Sequence, residues 1–198
     1  MKPHMNVYDF DKTIYKKDST LAFYLFCLRK HPSLLRFFFI QAWYYLLYRL
    51  HIVGKKRFKE KFFSFLKGLR GVETTVQCFW DKNICHINTW YLALQKSDDV
   101  IISASPAFLL RPICTQLHIR HLICTEVDKQ TGIFHSENCY GEEKLQRFRE
   151  QFGDAEISHF YSDSLSDSHM ASIAKEAFLV KNGRMIPWRA SAASDTHK

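Results

Sequence analysis

The sequence predicts an α/β protein, in which helices flank a parallel sheet and a helical-bundle cap is inserted into the chain. Two observations lead to this fold class. Short apolar segments alternate with helical ones over residues 98–186, a pattern typical of parallel sheets. A mainly helical block separates the first apolar segment from that alternation. We therefore predict a core of residues 1–15 and 96–189, a cap of residues 16–95, and a disordered tail at residues 190–198.

The first predicted strand covers residues 5–9 and leads toward the cap. The four predicted cap helices cover residues 21–30, 34–50, 53–69 and 72–94. Asp18 and the two residues after it offer N-caps for the first helix, which ends before Pro32. In the third helix, Phe58, Phe62 and Leu66 recur at helical spacing.

The second half of the chain supplies the other strands and their connecting helices. We predict a turn and strand over 98–105, strands at 119–124, 156–163 and 177–186, and helices at 106–117, 141–153 and 167–176. A turn or hairpin is predicted around residues 128–134, and another turn at Asn182 and Gly183. Because parallel strands end at one edge of a sheet, we expect the polar residues that follow them to lie together there.

Composition and charge bound the classes of function. At 198 residues, with 46% hydrophobic and 15% aromatic side chains, the chain suits one domain with a substantial core, which excludes a disordered protein. The net charge is +8, and residues 16–70 carry thirteen Lys or Arg against two acids, Asp18 and Glu60. This concentration of charge indicates an anionic partner for the cap.

Cysteine usage and apolar patterning indicate the compartment. The six cysteines form no C-x-x-C pair, so free thiols in a reducing compartment are predicted. No secretion signal precedes the first strand, and the uninterrupted apolar run Phe37–Tyr48 is shorter than the roughly 20 residues that span a membrane. We predict a cytoplasmic protein, with a peripheral position at the inner membrane surface as the alternative.

Polar side chains follow the predicted strands of the core. Six of them would converge at one edge of the sheet: Asp9, Asp11, Ser103, Lys144, Asp163 and Asp167. Buried carboxylates are costly unless a cation is bound there, and Mg²⁺, bound partly through water, is the usual choice for oxygen ligands. With the metal present, one carboxylate can attack phosphorus and a neighbour can donate a proton. Hydroxyl and ammonium groups would hold the phosphoryl oxygens.

Four ordered segments carry a family resemblance. "DFDKT" (9–13), "IISAS" (101–105), "GEEK" (141–144) and "SDSLSD" (162–167) resemble the four motifs of the haloacid dehalogenase-like superfamily of phosphohydrolases. Their order, with a helical insertion between the first two, is similar to that of its phosphoserine phosphatase-like branch. The resemblance spans nearly the whole chain and implies a Rossmann-like core and a Mg²⁺-dependent phosphomonoesterase.

The resemblance implies a role for each residue of the first two motifs. Asp9 would be a metal ligand and the nucleophile that becomes an aspartyl phosphate. Asp11 would protonate the leaving alcohol, then activate the hydrolytic water, and give its backbone carbonyl to Mg²⁺. Thr13 and Ser103 would serve the phosphate site, Thr13 by supporting the loop and Ser103 by bonding a phosphoryl oxygen.

The last two motifs would complete the site. Lys144 would neutralise the nucleophile and bind the phosphate, and Asp163 would ligate Mg²⁺. Asp167 would bind the metal through water or orient Lys144. The chain departs from the common motifs at Lys12 and Ser162, where glycine is usual. Neither departure removes a catalytic group, and Lys12 adds positive charge at the mouth of the site.

Each of these residues also has a simpler interpretation. The two N-terminal aspartates, taken alone, would be ordinary turn residues, and Lys144 beside two glutamates would be a solvated helix residue. Ser105 competes with Ser103 for the phosphate, although Pro106 favours Ser105 as the start of the next helix. Asp18 either caps a helix or points toward a substrate.

The substrate is left open between a small phosphorylated metabolite and a lipid head-group phosphate. The cap offers little for the ammonium group of phosphoserine, whereas its lysines and aromatic residues favour an anionic, amphiphilic partner. "YSDSLSD", "GEEK" and the Arg-flanked apolar cap also resemble bacterial phosphatidylglycerophosphate phosphatases, which implies that the cap docks on a membrane surface. Buried aromatic residues under a solvated basic face are the simpler alternative.

Two other classes of function remain as alternatives. A basic, aromatic cap could bind nucleic acid through stacking and phosphate contacts, or the chain could be a non-catalytic scaffold. The carboxylates would repel phosphates without a metal, so no specific nucleic acid is expected. The sequence leaves the oligomeric state and the physiological substrate open.

Overall fold

A six-stranded sheet forms the centre of the computed structural model, which describes residues 4–188. The strands are β1 (His4–Tyr8), β2 (Val100–Pro106), β3 (His121–Thr125), β4 (Glu156–Ser162), β5 (Ala174–Lys181) and β6 (Arg184–Pro187). Their order is β3-β2-β1-β4-β5-β6, with the first five parallel and β6 antiparallel to β5. The predicted α/β class with a Rossmann-like sheet is confirmed. Because β1 lies between β2 and β4, the residues after it reach the middle of the carboxyl edge.

Eight α-helices occur in the part of the chain that the structure describes. They are α1 (Ser19–Lys30), α2 (Phe38–Arg49), α3 (Lys55–Phe62), α4 (Val72–Asn83), α5 (Thr89–Leu94), α6 (Ala107–Gln116), α7 (Glu142–Phe152) and α8 (Ser168–Ile173). Five of them lie between β1 and β2, so the prediction of four cap helices is wrong by one. The division into core and cap domains stays a prediction, and the tail at 190–198 lies outside the described residues.

The predicted helix over 72–94 is divided because its middle pairs with another part of the chain. Ile87 forms an antiparallel bridge with Tyr15. The amide of Asn88 donates to the carbonyl of Ile14 at 2.8 Å. These contacts use backbone groups that a continuous helix would need, so α4 ends before them and α5 begins after them.

Two other predicted helices end early. The α-helical part of 53–69 ends at Phe62, and the 3₁₀-helix Phe63–Gly68 follows. Its first four residues are all buried, which the single apolar face of an α-helix does not allow. The predicted helix over 167–176 ends at Ile173, because the residues after it pair with β4 as strand β5. Here tertiary pairing overrides the helix propensity of Ala, Lys and Glu.

Two apolar clusters cover the two faces of the sheet. Tyr8 belongs to one cluster and its neighbour Val7 to the other, because successive residues of a strand point to opposite faces. The first cluster joins the sheet to the cap helices. Within it, the indole nitrogen of Trp80, in α4, donates to the carbonyl of Leu109, in α6, at 2.7 Å. The cap is therefore packed on the core through a continuous apolar interior.

One face of α2 stays exposed. Four large apolar residues recur on it at helical spacing and are 80%, 58%, 48% and 58% exposed: Phe39, Trp43, Leu46 and Leu50. We call these four residues the outer α2 face. On the opposite side, the buried Gln41 donates to the carbonyl of Phe62 at 2.9 Å and accepts from the Tyr24 hydroxyl at 2.5 Å. Within the described residues, no helix has both the length and the apolar character needed to cross a bilayer.

Candidate active site

The loop after β1 holds the first two aspartates. The amide of Asp9 donates to the carbonyl of Tyr161 at 2.8 Å, so Asp9 extends the pairing of β1 with β4. The loop then turns tightly, and the amide of Tyr15 donates to the carbonyl of Phe10 at 2.9 Å. Lys12 lies in this turn at φ 57°, in the left-handed region that glycine adopts at least cost. The backbone therefore accounts for the glycine that is common at this position of the motif.

Lys144 joins two of the predicted carboxylates. Its ammonium group donates to Asp9 Oδ1 at 2.7 Å and to Asp167 Oδ2 at 2.7 Å, and all three side chains are buried. The hydroxyl of Ser162 donates to the same oxygen of Asp167 at 2.7 Å. Asp167 thus orients the lysine, and the lysine holds Asp9 at the end of β1.

The charges of this cluster shift one another's pKa values. Burial raises the pKa of Asp9 to about 7; the ammonium group of Lys144 opposes that shift, and the carboxylate of Asp167 adds to it. Burial lowers the pKa of Lys144, but the attraction of Asp9 and Asp167 outweighs burial, so the pKa of the lysine is raised. Lys144 therefore stays positively charged beside Asp9.

A glycine sets the start of the helix that carries Lys144. Gly141 precedes α7 with φ 62° and ψ −126°, a conformation that residues with a Cβ rarely adopt. The amide of Lys144 donates to the carbonyl of Gly141 at 3.2 Å, which closes the first turn. The glycine of "GEEK" thus has a backbone role, because it lets the lysine side chain leave the helix start toward the sheet edge.

Asp11 is held by groups of the cap and of β2. Its Oδ1 accepts from the amide of Ser19 at 2.6 Å, and its Oδ2 accepts from the hydroxyl of Ser105 at 2.5 Å. Burial raises the pKa of Asp11, the charge of Asp18 acts in the same direction, and the two serines oppose the shift. A carboxyl group of this kind can hold a proton and donate it.

The two serines of β2 have different partners. Ser103 is buried, and its hydroxyl accepts from the amide of Ser105 at 3.1 Å. Ser105 lies within β2, and α6 begins two residues later, so the expectation that Ser105 opens the next helix is wrong. Its hydroxyl contacts Asp11 and accepts from the hydroxyl of Ser19 at 3.2 Å. The contacts of Ser105 with Asp11 and Ser19 were not predicted from the sequence.

A cavity of about 150 Å³ brings the predicted residues together. Its lining includes Asp9, Asp11, Ser103, Lys144, Asp163 and Asp167, together with Lys12, Asp18, Ala104, Tyr140, Ser164 and Ser166. Thr13 is the predicted site residue that does not reach it. The buried Thr13 carbonyl accepts from the side-chain amide of Asn88 at 2.6 Å, which favours loop support over phosphate contact. Asp18 both lines the cavity and caps α1, by accepting from the amide of Leu21 at 2.8 Å.

The donor set of this cavity fits a hard divalent cation. Five carboxylates, those of Asp9, Asp11, Asp18, Asp163 and Asp167, meet one buried ammonium group, and every candidate ligand is an oxygen. Burial raises the pKa of Asp163, and the nearby Lys12 opposes that shift. Among residues 4–188, no three acidic, histidine or cysteine side chains form a ready-made metal cage. Mg²⁺ is one such hard cation, and it usually keeps several of its waters and takes one or two carboxylates from a protein.

Two lysines of the cap that the sequence did not single out as site residues also reach this region. Lys55 and Lys59 are one turn apart in α3, and the Lys59 ammonium group donates to the carbonyl of Ala104 at 3.3 Å. The i, i+4 spacing was visible in the sequence, but five basic residues crowd this segment. Only the docking of the cap on the core shows which of them contact residues that line the cavity.

The fold and the site define an α/β protein whose candidate reactive groups lie around the end of the central strand. The chain belongs to the haloacid dehalogenase-like hydrolases, since the model of that family matches residues 7–172. The resemblance inferred from the four motifs is thereby confirmed.

One curated relative is similar to part of the chain. It is 34% identical over 83 residues to the protein CicA of Caulobacter vibrioides, a match that covers 39% of this chain and 37% of CicA. The chain thus spans well under half the length of this relative.

Solved structures share the fold over nearly the whole chain. A Bordetella pertussis protein of unknown function has a TM-score of 0.78 at 18% identity, with 99% of this chain and 97% of that one covered. A probable phosphoserine phosphatase from Vibrio cholerae has a TM-score of 0.60 at 16% identity, covering 89% and 55%. A phosphoserine phosphohydrolase-like protein from Francisella tularensis has a TM-score of 0.56 at 18% identity, covering 89% and 87%. At these identities the likeness establishes the common fold.

Proposed function

We propose that the protein is a Mg²⁺-dependent phosphomonoester hydrolase that acts through an aspartyl phosphate on Asp9. The position of Asp9 carries the proposal. Its buried carboxylate lies 2.7 Å from the Lys144 ammonium group and faces a cavity that Ser103 and Asp163 also line. Membership of a hydrolase family and a fold shared with phosphoserine phosphatase-like proteins support it.

Two carboxylates and a backbone carbonyl would hold the metal. Asp9, Asp163 and the carbonyl of Asp11 are the proposed ligands, with Asp167 reached through water. When bound, Mg²⁺ would draw electron density from the phosphoryl oxygens and offset the negative charge of the surrounding carboxylates.

In the first half of the reaction, a carboxylate oxygen of Asp9 attacks phosphorus. The bond from phosphorus to the leaving-group oxygen breaks, and Asp11 gives its proton to the departing alkoxide. Burial, which raises the pKa of Asp11, keeps that proton available. Lys144 and Ser103 hold the phosphoryl oxygens as their charge shifts.

In the second half, a water molecule gives a proton to Asp11, and its oxygen attacks the phosphorus of the aspartyl phosphate. The bond between phosphorus and the Asp9 oxygen breaks, which releases inorganic phosphate and restores the carboxylate. Asp11 again carries a proton, as it did before the first step. Lys144 stabilises the restored carboxylate of Asp9 through its buried ion pair.

The test is phosphate release with Mg²⁺ or with EDTA from a panel of p-nitrophenyl phosphate, phosphoserine, sugar phosphates and phosphatidylglycerophosphate in detergent. We expect activity in Mg²⁺ that EDTA and Asp9→Asn abolish. The matched control, Asp81→Asn, changes an exposed aspartate of α4 and should keep activity. Activity that survives both EDTA and Asp9→Asn would contradict the mechanism. A folded protein that binds oligonucleotides in a salt-dependent way and releases no phosphate would favour the nucleic-acid alternative.

A lipid head-group phosphate is the second candidate substrate, and the outer α2 face favours it. Four large apolar side chains are exposed there on one helix, and the exposed Arg36 and Arg49 lie at its two ends. Together with the basic character of the cap, this face fits the surface of a bilayer that contains anionic lipids. We propose that the cap docks on such a surface and brings the cavity to a membrane-held substrate.

Cosedimentation with phosphatidylcholine vesicles, with and without phosphatidylglycerol, tests this docking. We expect the wild type to bind only the anionic vesicles. The double variant Phe39→Ser and Trp43→Ser should bind them at least about tenfold more weakly, since each of the two side chains would bury apolar area in the membrane surface. The control Leu92→Ser changes an exposed leucine of α5, outside the outer α2 face, and should bind like wild type. Equal binding of the double variant and the wild type would exclude the outer α2 face as the docking surface.

A further inference from the structure

Helix α3 turns two lysines toward the candidate active site. The Lys59 ammonium group donates to Asn138 Oδ1 at 2.8 Å and to the carbonyl of Ala104 at 3.3 Å. Ala104 lies between the two serines of β2 and lines the cavity. One turn earlier, the Lys55 ammonium group lies 3.1 Å from the centre of the Tyr140 ring, and Tyr140 also lines the cavity. The ammonium groups of Lys55 and Lys59 therefore each contact a residue that lines the cavity.

These lysines lack the acidic partners that their neighbour has. Lys56, between them in sequence, forms an ion pair with Glu137 at 2.5 Å. Within residues 4–188, neither Lys55 nor Lys59 has a carboxylate within ion-pair distance. Burial lowers the pKa of Lys59 to about 8, the charge of Lys55 acts in the same direction, and Asp11 and other anionic groups nearby oppose it. Holding two such cations close together is unfavourable unless an anion joins them.

An anion that joins Lys55 and Lys59 would not be bound by Lys144. Lys144 is already engaged by Asp9 and Asp167. The ammonium group of Lys59 has three donor hydrogens, and its two hydrogen bonds leave one for another acceptor. A donor on Lys59 and the cation of Lys55 thus lie against Ala104 and Tyr140, two residues that line the cavity.

We propose that Lys55 and Lys59 bind a second anionic group of the substrate. This inference rests on the proposed function and narrows its substrate class. The substrate would be a phosphomonoester whose leaving group carries a carboxylate or another phosphate near the scissile phosphoryl group. A neutral leaving group, as in a simple alkyl phosphate, would leave both lysines without an anion.

A purely structural role for Lys59 predicts a different result. Its two hydrogen bonds connect the cap to Ala104 and Asn138, so it could act only as a tether. Loss of a tether would slow the hydrolysis of every substrate by a similar factor. Loss of an anion site would slow the hydrolysis of doubly anionic substrates selectively.

The kinetic test compares two matched pairs of substrates. 3-Phosphoglycerate and glycerol 3-phosphate differ by a carboxylate, and propane-1,3-diol bisphosphate and monophosphate differ by a phosphate. For Lys55→Met and Lys59→Met, we expect kcat/KM to fall about tenfold or more for the doubly anionic member of a pair, with little change for its partner. The pair with the larger loss identifies the second group as carboxylate or phosphate. Lys61→Met, on the same helix but over the ring of Tyr44, should change neither value.

A binding measurement separates this proposal from the proposed function. Calorimetry with propane-1,3-bisphosphonate and propylphosphonate, which cannot be hydrolysed at their P–C bonds, requires no turnover. We expect tighter binding of the bisphosphonate by wild type and loss of that preference in Lys55→Met and Lys59→Met. Selective binding without phosphate release from any substrate would support the anion site and overturn the phosphatase. Turnover with equal losses for both members of each pair, or wild type without a preference for the bisphosphonate, would overturn the anion site.

Discussion

The ammonium group of Lys144 lies 2.7 Å from Asp9 Oδ1, although the two residues are 135 positions apart in the sequence. Both side chains are buried, so this ion pair forms in an interior where water does not screen it. It also connects the start of α7 with the end of the central strand. The contact thus joins the two elements on which the proposed chemistry depends.

Replacing Lys144 by Met should destabilise the protein. Asp9 and Asp167 would lose their buried cation, and removal of one partner from a buried pair costs about 3–5 kcal/mol in the free energy of unfolding. The loss should be larger at pH 8 than at pH 5, since burial raises the pKa of Asp9 to about 7 and the protonated form at low pH needs no buried cation. Urea denaturation at both pH values measures the effect.

Lys129→Met is the matched control for that variant. Lys129 pairs with Glu73, and both side chains are about half exposed or more, so solvent screens the pair and its loss should cost little stability. If Lys144→Met cost no more than Lys129→Met at pH 8, the buried ion pair would not stabilise the fold.

Binding of Mg²⁺ should strengthen with rising pH. Protons compete with the metal for Asp9, whose pKa is raised to about 7 by burial. The carboxylate is mostly protonated at pH 6 and mostly ionised at pH 8, which predicts about tenfold tighter binding at pH 8. Calorimetric titration of wild type and Asp9→Asn checks this expectation. Equal affinities of the wild type at the two pH values would show that Asp9 does not contact the metal.

Ser105→Ala should reduce turnover. The Ser105 hydroxyl donates to Asp11 at 2.5 Å and lowers its pKa, so its loss raises that pKa further and weakens Asp11 as the base in the second half-reaction. Loss of a hydrogen bond to a charged group predicts a fall in kcat of about tenfold, with KM little changed. Steady-state kinetics can be compared with Ser172→Ala, which removes the hydroxyl of an exposed residue of α8. An unchanged kcat in Ser105→Ala would exclude this role.

Gly141→Ala should cost stability and activity together. Its φ of 62° and ψ of −126° are strained for a residue with a Cβ, which predicts a loss of about 1–3 kcal/mol and a shift of Lys144 away from Asp9. Thermal denaturation and phosphate release measure the two effects. Gly54→Ala is the control, since Gly54 precedes α3 at φ −72° with open space around its Cα. Equal behaviour of the two variants would contradict the backbone role of Gly141.

The acidic part of the site could be predicted because it depends on local order along the chain. Asp9 and Asp163 each directly follow a strand, Ser103 lies within β2, and parallel strands end at the same edge whatever the details of packing. The contacts of Ser105 could not be predicted, since they depend on how α1 of the cap meets β2. The same holds for Lys55 and Lys59, which are only two among several basic residues until the cap is docked.

The errors in secondary structure have the same origin. The predicted helix over 72–94 is interrupted where Ile87 and Asn88 pair with the loop after β1. Residues 174–176 favour a helix by composition but pair with β4. In both places a partner distant in sequence decides the conformation, and no window of local sequence contains that partner.

The central position of β1 also has a consequence for the order of assembly on the ribosome. β1 is made first, yet its partner β4 begins only at Glu156. At ordinary rates of translation, on the order of 10 s pass between the synthesis of β1 and the synthesis of β4. During this interval the aromatic segment of α2 has already been synthesised, so the nascent chain exposes an apolar helix before the sheet edge with the candidate site has formed.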